Sequence, residues 1–98
     1  MTKTIVQFAF KQLQPHGLPT IDCRVLPNPY QKGIPDTVLR ERVRALPNFE
    51  DVVNAGVELL SEKDKIWVGC LYGRHRSVAV AEEIAKRTGA TVQSVVQA

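Results

Sequence analysis

The chain has 98 residues, 44% of them hydrophobic and 23% charged, with a net charge of +3 and a pI near 9.1. That length allows one domain with a workable core and little stability to spare, and the charge permits a polyanionic partner without demanding one. Two cysteines make no disulfide scaffold, no apolar run reaches membrane length, and Gln7 breaks the short run Ile5 to Phe10 that a leader would need; reduced thiols, a cytoplasmic setting and no membrane partner are expected.

Thr4 to Phe10 is apolar and β-rich and predicts a strand. Gln14 to Pro19 reads as a turn from its Pro and Gly. Thr20 to Leu26 alternates loosely and predicts a second strand, stopped by Pro27-Asn28-Pro29 because proline cannot donate to a ladder. After a loop, Asp36 is a candidate N-cap for a short helix through Leu46, with Leu39, Val43 and Leu46 on one face and Pro47 ending it. Asn48 then caps a second helix, with Asp51 at the capping-box position; Phe49, Val52, Val53, Gly56, Val57 and Leu60 follow the helical spacing of one buried face. Lys65 to Gly69 is a third strand, Ser77 to Thr88 a third helix with Gly89 just past its end, and Thr91 to Gln97 a last strand. Helices separate the later strands. The expected class is α/β, a small three-layer fold with a mostly parallel sheet of about four strands and helices packed on it, as one domain over residues 1–98. Whether the first two strands form a hairpin or a crossover stays open.

The stretch Val68-Gly69-Cys70-Leu71-Tyr72-Gly73-Arg74-His75-Arg76-Ser77 carries the chemistry. A strand that feeds a glycine-bearing turn into a helix N-terminus points successive N–H groups inward, and the helix dipole adds to their charge. Arg76 can clamp a phosphate bidentately, and Arg74 and His75 add charge at the rim. Cys70 would face the same cradle, where its pKa should fall; the competing reading is a buried small hydrophobe at a strand end.

Two families share this loop pattern. The spacing of Cys70, Gly73, Arg76 and Ser77 resembles the cysteine phosphatases, which would make Cys70 the nucleophile, Arg76 the phosphate clamp and Asp36 the general acid; Gly69 stands where those enzymes have histidine. The second resemblance is broader. Phe10-Lys11, His16-Gly17-Leu18-Pro19, Asp22-Cys23-Arg24-Val25-Leu26-Pro27-Asn28-Pro29 and Gly69 to Val78 resemble, in order, the motifs of the C-terminal domain of RapZ (YvcJ-type) proteins. In that family the domain follows a P-loop nucleotide-binding domain. No Gly-x4-Gly-Lys-Ser/Thr occurs here, so a stand-alone domain is expected.

What this resemblance implies is a regulatory domain that binds phosphosugar or small RNA and self-associates as a homo-oligomer, with no catalytic residue favoured. The ligand set it implies is Lys11, His16, Arg24, Asn28 and the loop Cys70, Leu71, Tyr72, Gly73, Arg74, His75, Arg76 and Ser77. Leu71-Tyr72 replaces the family's Thr-Gly, removing a hydroxyl and adding an aromatic ring. Arg40, Arg42 and Arg44, with Arg74, are candidate RNA-backbone contacts; their plainer reading is a solvated helix face. Tyr72 and Tyr30 offer rings for stacking on a sugar or base. The spacing of the cysteines and histidines fits no compact zinc site, and no dinucleotide fingerprint occurs, so no metal or cofactor is expected. An interaction protein with a vestigial loop is the third reading.

Overall fold

A computed structural model describes residues 2–97. The strands are β1 (Thr4–Ala9), β2 (Thr20–Asp22), β3 (Lys65–Cys70) and β4 (Thr91–Ser94); the helices are α1 (Asp36–Arg44), α2 (Phe49–Glu62) and α3 (Arg76–Thr88). A 3-10 turn, Cys23–Val25, follows β2. The sheet order is β2-β3-β1-β4 and all three pairings are parallel, so the α/β class and the parallel sheet are what the molecule has.

The central pair runs in register from Thr4 opposite Lys65 to Ala9 opposite Cys70. Alternation then divides the side chains between two faces. Ile5, Ile66, Val68 and Cys70 join one buried cluster with Val53, Leu60, Val80 and Ile84 of the helices. α3 packs against both α1 and α2, so all three helices lie on that face. On the other face Phe8 meets Phe10 and Trp67 edge to face, with ring centroids 4.7 and 5.1 Å apart. The segment from Phe10 to Pro19 covers these rings, and the Trp67 indole N–H donates to the His16 carbonyl at 3.1 Å. The third layer is therefore a loop rather than helices. It also settles the first connection, a crossover past β3 that contains no helix.

Several boundaries differ from expectation, each for a local reason. β2 ends at Asp22, not Leu26. The Asp22 carboxylate accepts the Arg24 N–H at 2.9 Å and folds the chain into the 3-10 turn, a local bond that competes with the ladder. Asp22 and Arg24 thus meet across a turn rather than along a strand face. Pro35, not Asp36, occupies the N-cap of α1, which ends at Arg44 before Leu46. Asn48 is at the N-cap of α2, but its side chain makes no capping bond. α3 begins one residue early, at Arg76, and ends on Gly89 in the left-handed region at φ 77°. β4 stops at Ser94; beyond it the Gln12 side-chain amide exchanges two hydrogen bonds with the backbone of Gln97.

Candidate functional site

The site forms where β3 runs out into the loop 71–75 and where the chain leaves the 3-10 turn through Leu26-Pro27-Asn28. Gly73 makes the turn possible. Its φ is +69°, and a side chain there would meet Val96 at 2.6 Å and Ala9 at 3.0 Å. The carbonyls of the loop are held from outside. The Gly73 carbonyl accepts from Gln7 Nε2 at 2.9 Å, the Arg74 carbonyl from Arg40 Nε at 3.0 Å, and the Leu71 carbonyl from the Lys11 N–H at 3.0 Å. The backbone N–H groups of Tyr72 through Arg76 have no hydrogen-bond partner among the described residues. A loop with its acceptors tied and its donors free at a helix N-terminus is an anion cradle in its simplest form.

The cradle opens on a cavity of about 580 Å³ lined by Asn28, Tyr30, Asp36, Cys70, Tyr72, Arg74, His75 and Arg76. Arg76 is 8% exposed. It donates through one terminal nitrogen to the Leu26 carbonyl at 3.0 Å, and its other guanidinium nitrogens have no bond among the described residues. Ser77 is fully buried behind it. Its hydroxyl lies 3.2 Å from Cys70 Sγ and accepts from Gln7 Nε2 at 2.7 Å, and its N–H points at Sγ at 3.4 Å. His75 Nε2 donates to Asp36 Oδ1 at 2.8 Å, and Arg74 lies 3.6 Å from the other oxygen. The His75 hydrogen bond, then the nearby His75, Arg74 and Arg40 charges, hold the Asp36 carboxyl below the usual carboxylate range. Burial pushes the neighbouring Cys23 thiol well up, with Cys70 adding to the effect.

The remaining candidates divide by position. Asn28 lines the cavity, and its Oδ1 accepts the Tyr30 N–H at 3.1 Å. The Lys11 ammonium sits 5.1 Å from the Tyr72 ring centroid, at the rim. His16 lies in the covering loop, away from both cavities described here. Arg24 is paired with Asp22 at 2.8 Å and lies over the Phe10 ring at 3.6 Å. Arg40 lines a second cavity of about 620 Å³, which shares Asp36, Tyr72 and Arg74 with the first. Arg42 bonds the Gln31 side chain, and Arg44 is paired with Glu41 and Glu82, so the three arginines of α1 each have a different partner. Leu71 contributes its backbone. Gly69 faces the aromatic side of the sheet, where a side chain such as the phosphatase histidine would run into the Phe8 ring. Among the described residues no group of three or more His, Cys, Asp or Glu could hold a metal ion, and no helix is long and apolar enough to cross a membrane.

Sequence reasoning missed Gln7. It is 2% exposed in the middle of β1, and besides its bonds to Gly73 and Ser77 it accepts from the Ser94 hydroxyl at 2.7 Å. The signal was a lone amide inside Thr-Ile-Val-Gln-Phe-Ala, a central strand that is otherwise apolar.

The family model of the RapZ C-terminal domain matches residues 1–98. Similar chains include a "Nucleotide-binding protein" of Rubrobacter xylanophilus, 38% identical over 92% of this chain and 35% of the relative. Others are proteins of the same name from Salinispora arenicola, 36% identical over 91% of this chain and 36% of the relative, and from Corynebacterium glutamicum, 36% identical over 86% and 33%. The chain spans about a third of the length of these curated relatives.

Proposed function

The chain belongs to the RapZ C-terminal domain family, and from that membership we propose that it is a regulatory binding domain whose cavity takes the phosphate group of a phosphosugar or of RNA. The observation that carries this reading is the row of free N–H groups from Tyr72 to Arg76 beside a nine-tenths buried arginine. Unpaired backbone donors at the N-terminus of a helix favour an anion. Arg76 supplies charge from its buried position on the cavity wall, and Arg74 stands beside it, sharing the Asp36 carboxylate with His75. A small phosphate ester is favoured over an extended RNA contact because Arg44 is already paired with two carboxylates and Arg42 is held by the Gln31 amide oxygen. Calorimetry with glucosamine-6-phosphate tests it. Arg76→Ala should weaken binding roughly a hundredfold, the cost of a lost charge-assisted bidentate contact. Arg74→Ala, at an exposed position, gives the same direction without touching the Leu26 anchor, and Lys63→Ala should change nothing. Equal affinities for all three variants would sink the assignment.

A cysteine phosphatase is the second reading, because Cys70, Arg76 and Asp36 do line one cavity. The electrostatics of Asp36 oppose it. A general acid must carry a proton at working pH, and this carboxyl is held ionised by His75 and Arg74. Incubation with an activated aryl phosphate should give little or no Cys70-dependent release; turnover that vanishes in Cys70→Ser would put the enzyme first.

A further inference from the structure

The chain has two tyrosines, and both stand on the wall of this one cavity. Tyr30 is 63% exposed and Tyr72 is 51% exposed. Neither ring is loose. Tyr30 lies against the His75 ring, with centroids 6.5 Å apart and planes 30° from parallel. Tyr72 carries the Lys11 ammonium near its face, and the Lys11 backbone N–H is bonded to the Leu71 carbonyl next to it. Large rings held in place and left half in water are surfaces with an unmet partner. Behind them lie the free N–H row and Arg76. A phosphate bound there leaves the group to which it is esterified in the cavity that both rings line. The cavity, at about 580 Å³, has room for far more than the phosphate.

We propose that the cavity recognises a nucleoside monophosphate unit, with the phosphate on the 72–76 cradle and the base stacked on Tyr72 or Tyr30. The proposal rests on the phosphate reading above and adds the base to it. A sugar can rest only a patch of C–H groups on a ring face; a nucleobase presents a whole flat π-surface and is the fuller match for an aromatic ring. Asn28, whose Oδ1 is taken by the Tyr30 N–H, keeps its amide N–H groups for an acceptor on that base or on the ribose. A free mononucleotide and the phosphorylated end of a single-stranded RNA share this unit.

Calorimetry with AMP, ribose 5-phosphate and a 5′-phosphorylated hexa-adenylate RNA tests it. Ribose 5-phosphate keeps the phosphate and the sugar and lacks only the base. AMP should bind tighter than ribose 5-phosphate by roughly fivefold to a hundredfold, the range of one base–aromatic stack. A Tyr30→Ala/Tyr72→Ala double variant should lose the advantage of AMP and bind the two compounds equally. Hexa-adenylate tighter than AMP assigns the unit to RNA; equal or weaker binding assigns it to the free nucleotide. If AMP shows no advantage, or keeps one after both rings are lost, the proposal falls while the phosphate site stands. If no phosphate compound binds at all, both fall.

Discussion

At the residue scale, the decisive groups are polar ones placed where an apolar residue would be the default. Gln7 sits in the central strand and spends its amide on Gly73 and Ser77 while its carbonyl takes the Ser94 hydroxyl. It is the strut under the cradle. Gln7→Leu keeps the volume and strands those partners in a buried place. Urea melts should show a loss of about 1–3 kcal/mol, the cost of buried groups left unpaired, and phosphate affinity should fall with it. Unchanged stability would show that Gly73 and Ser77 find other partners. Asp36 gives a second test. Its pKa in the folded chain lies below the unfolded value of about 4, so the stability that it contributes is fully present above that pH and is lost as pH falls through the folded value. Wild type should therefore exceed Asp36→Asn in stability at pH 6, and the gap should close in melts taken progressively below pH 4. A gap that widens in acid would mean that the carboxyl is not held down in the fold. The loop itself was legible because glycine, arginine and cysteine at those spacings carry their chemistry in their identities. Gln7 was not, because its meaning depends on three partners far away in sequence. Nor was the absence of a capping bond from Asp36, which instead turns to His75.

At the scale of elements, α2 read cleanly, since Phe49, Val53, Gly56 and Leu60 are the buried residues of one face at the spacing expected. What the spacing left unsaid is why Gly56 is glycine. A Cβ there would collide with the end of the Ile84 side chain, itself fully buried, so the glycine sets how closely the two helices approach. Gly56→Ala gains helix propensity of about 1 kcal/mol and meets an overpacking cost of about 1–3 kcal/mol. Chemical denaturation should show a net loss in the single variant. Ile84→Val removes the colliding Cδ1, so Gly56→Ala in the Ile84→Val background should be neutral or stabilising; a cost that is the same in both backgrounds would place the strain elsewhere. β2 was misread for a related reason. Thr20 to Leu26 has strand composition, but an aspartate two residues before an arginine can close a turn on its N–H and then on its guanidinium, and here that local pair wins over the ladder.

At the scale of the whole molecule, the parallel sheet was legible from the alternation of helices and strands, whereas the course of the first connection was not. A loop that must cross β3 and roof Phe8, Phe10 and Trp67 has turn composition like any other loop; only the partner of Trp67 reveals its work. The two thiols then report on two different openings of this fold. Cys23 is completely buried under the helices, and burial also raises its pKa, so reagent and thiolate both require the core to open. Its alkylation by iodoacetamide should proceed only through global unfolding. A domain of this size is stable by at least about 5 kcal/mol, which slows labelling roughly 10⁴-fold relative to an unfolded thiol. Cys70 is buried in the same cluster, but it also lines the cavity, with its Sγ 3.2 Å from the Ser77 hydroxyl and the loop directly after it. Opening of that loop, without loss of the core, is enough to expose it. Mass spectrometry of the labelled chain should therefore find Cys70 modified well before Cys23. Added urea below the melting transition should speed Cys23 steeply and Cys70 weakly, because the two openings expose different amounts of surface. Added phosphate should slow Cys70 by occupying the cradle and should slow Cys23 only through the overall gain in stability. Equal rates and equal urea dependence at the two cysteines would mean that the loop opens only when the whole molecule does, and that the cradle is as rigid as the core behind it.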